Sequence, residues 1–149
     1  KYKIKFQLII IGEGNLKPDL LNYVKKNQLR KEIQILKFRK NPFPFIRSSD
    51  IFILTSIFEG LPNVLLEAIV LKKFIISSDC KTGPNEIIKN GKTGFLFKNN
   101  CIDDLINKLL KYIKNKKKYD KIAKFKNKNL EKFSISKNLN LYYKTLNNI

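Results

Sequence analysis

A chain of 149 residues, 43% of them hydrophobic, has the size and composition of one globular domain and can bury roughly two thirds of its unfolded surface. The absence of histidine and the spacing of its two cysteines, Cys80 and Cys101, argue against a zinc centre and against imidazole chemistry from this chain. No apolar run approaches the roughly 18 residues of a membrane span, and the two cysteines suit a reducing, cytoplasmic setting. The formal net charge of +19 fits an anionic partner, either nucleic acid or an anionic membrane face. It fits equally a composition drift, because Lys, Asn and Ile share AT-rich codons. With no methionine, the chain is expected to be a piece of a longer product.

Gln7 to Ile11 is a continuous apolar run that predicts a buried strand, ending in the turn Gly12-Glu13-Gly14. Pro18 suits the first turn of a helix carrying Leu20, Leu21 and Val24 on one face. Ile33 to Leu36 predicts a second strand, and Asp50 to Thr55 a third. A helix is expected from Pro62 to Leu71. Phe74 to Ser77 predicts a fourth strand, Pro84 to Ile88 a short helix, and Phe95 to Phe97 a last strand. From Ile102 the period becomes helical, with Leu105, Ile106, Leu109, Leu110 and Ile113 in one stripe. Asp103 and Asp104 suit its positive end, and lysines the other. The Lys114 to Lys118 run reads as a solvated helix end, and the charged stretch Lys114 to Asp120 leads into one or two further amphipathic helices that finish near Leu146. Alternating strands and helices with apolar strands argue for an α/β parallel sheet covered on both faces. The expected organisation is a single domain, residues 1–149, with an α/β core over about 8–97 and C-terminal helices over 100–147.

Ligands of such sheets bind beyond the carboxyl ends of the strands. Three segments belong there. Gly12-Glu13-Gly14 lets the backbone turn and approach a ligand, but lacks the third glycine of a dinucleotide fingerprint. Ser56 to Glu67 combines the bare backbone of Gly60 with a helix start at Pro62. The amides of Leu61, Asn63 and Val64 then lie at a helix N-terminus, where free N–H groups and the dipole favour a phosphate. Pro62 itself donates nothing. Glu59 precedes that site and Glu67 follows it. Leu65, Leu66, Ala68 and Ile69 give Glu67 apolar neighbours, so its carboxylate needs hydroxyl or N–H partners such as the paired hydroxyls of a sugar. Alone, each glutamate reads equally as a helix-start or solvated helix residue. Thr82-Gly83-Pro84-Asn85-Glu86 repeats the glycine-then-helix arrangement, with Asp79 and Glu86 either caps or sugar contacts.

The string Ser56-x-x-Glu59-Gly60-x-Pro62-Asn63-x-x-x-Glu67-Ala68 resembles the Glu-x7-Glu motif of retaining GT-B glycosyltransferases of family 4. Ile9 to Gly14, Ser49 to Leu54 and Glu86 to Leu96 are similar to that family's other landmarks, in order, from about Leu8 to Phe97. The segment Ser77 to Glu86 is similar to a subgroup that builds surface polysaccharides and protein-linked glycans from UDP-sugars. The resemblance implies the C-terminal, Rossmann-like half of a GT-B fold that ends in amphipathic helices. It implies that Glu59 is catalytic, contacting the donor sugar, and that Glu67 binds the nucleotide ribose. The backbone of Gly60, Leu61, Pro62, Asn63 and Val64 would hold the diphosphate and sugar. Gly12 would lie close to the nucleotide, with the base near Lys37 and Phe38. Lys37 stands where the family has glycine.

The implied reaction moves a hexose or N-acetylhexosamine from a nucleotide-diphosphate sugar to a glycan or lipid-linked acceptor, with retention. No metal and no cofactor is expected beyond the nucleotide-sugar co-substrate. The acceptor-binding N-terminal domain and the first strand–helix unit of this domain would be missing, so the fragment alone is expected to be inactive. A cytoplasmic protein, peripheral at the membrane face, follows from that reading and from the charge. Two other classes stay open: a non-catalytic sugar-nucleotide-binding or interaction domain, and a charge-driven nucleic-acid-binding domain.

Overall fold

Each strand of the computed structural model pairs in parallel with its neighbours, and each pairing follows the apolar runs of the sequence. The structure describes residues 4–124 and 133–134, divided between two units, Lys1–Phe45 and Ile46–Ile149.

In the first unit, β1 (Leu8–Ile11) pairs with β2 (Ile33–Leu36), Leu8 opposite Ile33 and Ile11 opposite Leu36. Helix α1 (Lys17–Lys26) connects them. It has Pro18 and Asp19 in its first turn and Lys25 and Lys26 in its last, matching the helix dipole at both ends. The expectation of a buried β1 is corrected here. No residue of β1 is buried, and Ile9 is 41% exposed. Of the apolar face of α1 only Val24 is buried, while Leu20 and Leu21 stay exposed. Two strands and one helix make only two layers, so within this unit a second face has nothing to pack on.

Helix α2 (Phe43–Ser48) was not expected from the sequence. Asn41 supplies the side-chain acceptor at its start, taking the Phe43 amide at 3.1 Å.

The second unit holds a sheet in the order β3 (Ile51–Leu54), β4 (Phe74–Asp79), β5 (Phe95–Lys98). Ile53 lies opposite Ile76, and Ile76 opposite Phe95. The central strand β4 is buried from Phe74 to Ser78, as expected of a strand covered on both faces. Alternation along the strands sends Ile75 and Leu96 to one side, where α3 (Asn63–Val70) and α4 (Pro84–Ile87) supply Leu65, Ala68 and Ile87. Phe74, Ile76, Phe95 and Phe97 face the other side, packed on α5 (Ile102–Lys114) and α6 (Lys116–Lys124). There Phe74 meets Phe95 edge-on at 5.1 Å and Tyr119 at 4.9 Å, and it stacks on Tyr112 at 5.4 Å. Each such pair contributes about 0.5–1.5 kcal/mol beyond its area burial.

The Glu86 to Leu96 landmark is structural. Ile87 and Ile88 are core residues, and Gly91 takes φ +77. Thr93 Oγ1 accepts the Lys89 amide at 2.9 Å, and Asn90 Oδ1 accepts that of Leu96 at 3.0 Å. Gly94 lies against β4 so closely that a Cβ would come within 2.8 Å of the Ile75 carbonyl oxygen.

Lys114 to Lys118 are exposed at the end of α5, the solvated helix end expected, and the stretch as far as Asp120 joins α5 to α6. Lys116 Nζ bonds Asp120 at 2.6 Å and Asp50 at 3.0 Å, and Tyr112 donates to Asp120 at 2.6 Å. Partial burial opposes the charge on Asp120, but the hydrogen bonds from Lys116 and Tyr112 outweigh it and hold its carboxyl below the usual range. The Asp104 carboxyl is also held low, chiefly because it accepts the Lys98 amide at 2.8 Å. The helices expected beyond Lys124, as far as Leu146, lie outside the described residues apart from Phe133 and Ser134.

Candidate functional site at the carboxyl ends of the second sheet

Parallel pairing places the ends of β3, β4 and β5 at one edge of the second unit. The three loops that leave these ends are Thr55–Pro62, Cys80–Gly83 and Asn99–Asn100. The first of them feeds α3. Pro62, the expected helix start, is its N-cap, so the helix begins one residue later, and the Pro62 carbonyl accepts the Leu65 amide at 2.9 Å. Asn63 and Val64 are the first two helical residues, so their amides have no acceptor within the helix.

Leu65 and Ala68 are fully buried and anchor α3. Helical periodicity turns Glu67 away from them, to the side that carries exposed Asn63 and Val70. Glu67 is therefore half-buried rather than enclosed by apolar neighbours. Glu59 is also half-buried, between exposed Phe58 and Gly60. Among the described residues neither carboxylate takes part in a hydrogen bond or ion pair. The amides of Ile57, Phe58, Glu59, Gly60 and Leu61 likewise donate to no described acceptor. The loop thus offers unpaired backbone donors and two unpaired carboxylates on one stretch of chain. Donors of that kind suit an anion, and the carboxylates suit hydroxyls. Ile57, Phe58 and Leu61 add apolar surface, at 67%, 77% and 47% exposure.

The glycine that must lack a side chain is not Gly60. A Cβ built at Gly60 meets nothing within 4 Å. One built at Gly83, where φ is +86, collides with the Gly60 carbonyl oxygen and comes within 2.7 Å of Pro62 Cδ. Residues near Gly83 also grip the first loop. Thr82 Oγ1 donates to the Glu59 carbonyl at 2.6 Å. Ser78 Oγ and Cys80 Sγ both reach the Ser56 carbonyl, at 2.6 and 3.0 Å. Asn99 Nδ2 donates to the Ile57 carbonyl at 2.7 Å. Of the two acidic candidates in this region, Glu86 takes the cap role, accepting the Gly83 amide at 3.3 Å, and Asp79 is exposed at the end of β4. Sequence reasoning missed Asn99 entirely, and no local pattern marks it. Thr82 and Cys80 were visible in the sequence, but not their partners.

Glu59, Gly60, Leu61, Pro62, Asn63, Val64 and Glu67 all belong to this one loop and helix start. Gly12 belongs to the first unit. It follows β1 with φ +153 and donates its amide to the Leu36 carbonyl at 3.2 Å, so it lies at the same end of that sheet as exposed Lys37 and Phe38.

The family described as glycosyl transferases group 1 matches residues 1–129. A similar protein is the N-acetylgalactosamine-N,N'-diacetylbacillosaminyl-diphospho-undecaprenol 4-alpha-N-acetylgalactosaminyltransferase of Campylobacter jejuni. It is 29% identical over 140 residues, covering 92% of this chain and 38% of that protein. The UDP-Gal:alpha-D-GlcNAc-diphosphoundecaprenol alpha-1,3-galactosyltransferase of Escherichia coli is 36% identical over 109 residues, 72% of this chain and 28% of the relative. Among solved structures, the lipopolysaccharide outer core galactosyltransferase WaaB superposes with a TM-score of 0.75 at 30% identity, covering 95% of this chain and 39% of that one. The chain thus spans about two fifths or less of the length of each of these relatives.

Proposed function

Because this chain belongs to the group 1 glycosyl transferases and has their GT-B, Rossmann-like fold, we propose that it is the donor-binding half of a retaining hexosyl- or N-acetylhexosaminyltransferase. The observation that carries this reading is the Gly60–Val64 backbone, lying along the chain between the carboxylates of Glu59 and Glu67, with amides and carboxylates alike unpaired among the described residues. The amides of Gly60, Leu61, Asn63 and Val64 take the diphosphate of the donor, and Pro62 shapes the helix start. Glu67 accepts the ribose hydroxyls, and Glu59 faces the transferred sugar. Gly12, with Lys37 and Phe38, borders the nucleoside. In the reaction the bond from the anomeric carbon to the diphosphate oxygen breaks, leaving its electron pair on the diphosphate. An acceptor hydroxyl then bonds to that carbon from the same face and passes its proton to the departing diphosphate oxygen.

UDP as the carrier is supported by the Escherichia coli relative, whose name specifies UDP-Gal. A lipid-linked acceptor is supported by the diphosphoundecaprenol in both relatives' names. The parent protein supplies the acceptor-binding domain and the cations that neutralise the leaving diphosphate, and this segment alone does not turn over. The reaction needs no metal, so UDP release from UDP-galactose or UDP-N-acetylgalactosamine should proceed in EDTA.

The direct test is titration of the full-length protein with UDP. Glu67→Ala should weaken UDP binding by about 10- to 100-fold, the worth of a charge-assisted pair of hydrogen bonds. Unchanged affinity would show that Glu67 is not the ribose ligand. In the same titration, single-stranded DNA should bind weakly and lose affinity steeply with salt, whereas UDP should lose little. A nucleic-acid-binding domain would reverse that order.

The charge of +19 supports a second element of the proposal, peripheral contact with the anionic cytoplasmic membrane face, where a lipid-linked acceptor resides. Among the described residues no helix is long and apolar enough to cross a membrane. Co-sedimentation with liposomes should rise as anionic lipid is added. Indifference to anionic lipid would rule the contact out.

A further inference from the structure

The first loop has no regular secondary structure of its own between Thr55 and Pro62, yet its carbonyls are held one after another. Ser56 is held by Ser78 and Cys80, Ile57 by Asn99, Glu59 by Thr82, and Gly60 by close contact with Gly83. Ser78 is one of the last two residues of β4, and every other partner lies beyond the end of β4 or β5. In a planar trans peptide the carbonyl of one residue and the N–H of the next point in opposite directions. Holding the carbonyls of residues 56, 57, 59 and 60 therefore turns the amides of Ile57, Phe58, Gly60 and Leu61 away from the β4 and β5 loops. That is why these amides are left without partners among the described residues and are available to a ligand.

The supports are unequal. Among the described residues two groups hold the Ser56 carbonyl, but only the Thr82 hydroxyl bonds that of Glu59. The Glu59–Gly60 peptide plane also sets where the Glu59 side chain starts. From this geometry we infer that Thr82 is a positioning residue. Its hydroxyl fixes the Glu59–Gly60 peptide so that the Gly60 amide and the Glu59 carboxylate meet the donor together. This inference rests on the donor-site reading above for its consequence in catalysis, but not for its consequence in loop rigidity. Thr82 is exposed and touches the loop through its hydroxyl, so its removal spares the core.

The test compares Thr82→Val, which keeps the shape and removes the hydroxyl, with Thr82→Ser, which keeps the hydroxyl, in the full-length protein. Turnover of UDP-galactose or UDP-N-acetylgalactosamine, UDP affinity and chymotrypsin cleavage after Phe58 are measured for each. Phe58, at 77% exposure, is open to the protease only insofar as the loop can move. Thr82→Val should lower kcat by about 10- to 100-fold, the range expected when a reacting group is displaced by an ångström. UDP affinity should fall by less than kcat does, because the Gly60 amide is displaced while Glu67 and the α3 amides are untouched. Cleavage after Phe58 should accelerate, and Thr82→Ser should restore both readouts. A Thr82→Val protein with wild-type kcat and wild-type cleavage overturns the inference, as does a Thr82→Ser protein as impaired as the valine variant. If the unaltered protein releases no UDP from either donor, the donor-site reading fails. The cleavage comparison then decides the positioning role by itself.

Discussion

Glu59→Gln is expected to reduce sugar transfer by the full-length protein about 100- to 1,000-fold while leaving UDP affinity nearly unchanged. The substitution keeps the size of the side chain and removes its charge. It also leaves the loop intact, because Thr82 holds Glu59 through its backbone carbonyl and not through its carboxylate. Among the described residues no cation pairs with that carboxylate, so it is open to a ligand. As the bond to the leaving diphosphate breaks, positive charge grows at the anomeric carbon, and a nearby carboxylate stabilises that state more than the bound donor. The expected signature is a loss in kcat with little change in donor KM. An equal rise in donor KM with kcat preserved would instead make Glu59 a ground-state sugar ligand.

Gly83→Val is expected to destabilise the chain by about 2–4 kcal/mol and to abolish the donor site with it. Two independent costs combine. At φ +86 a β-branched residue is strained, whatever surrounds it. Its Cβ would also occupy the position of the Gly60 carbonyl oxygen and press on Pro62 Cδ. Neither neighbour yields cheaply, since one is backbone and the other a buried proline ring. Relief would come by pushing the Gly60–Pro62 segment outward, which displaces the start of α3. Gly60→Ala is the contrast, since its Cβ enters open space, and its stability should change by no more than about 0.5 kcal/mol. Urea unfolding of the two variants separates them. Equal midpoints would mean that the contact between Gly83 and the Gly60 carbonyl does not restrain the loop.

Most of the architecture was legible because it depends on local pattern. The runs Ile51–Leu54 and Phe74–Ile76 are apolar throughout, which suits strands covered on both faces and little else of that length. The stripe from Ile102 to Ile113 has helical period, and Asp103 and Asp104 mark its start. Helix α2 was not legible, because Pro42 and Pro44 read as breakers and its cap comes from Asn41, one residue further back. The exposure of β1 was misjudged for a different reason. An apolar run states that a strand is able to be buried on both faces. Whether a second layer is there to bury it is a property of the surrounding chain.

The candidate site divides in the same way. The sequence alone determined which chemistry is present, namely a glycine, a helix start and two glutamates within a single segment from Glu59 to Glu67. A helix N-terminus binds anions through its own free amides, and no distant residue is needed to specify that. Only the tertiary structure decided how that segment is held. The hydroxyl of Thr82, the amide of Asn99, the thiol of Cys80 and the bare Cα of Gly83 meet it across gaps of 23, 42, 24 and 23 residues. These contacts obey no local period. They exist because parallel pairing brings the ends of β3, β4 and β5 to the same edge, where each loop becomes the neighbour of the next.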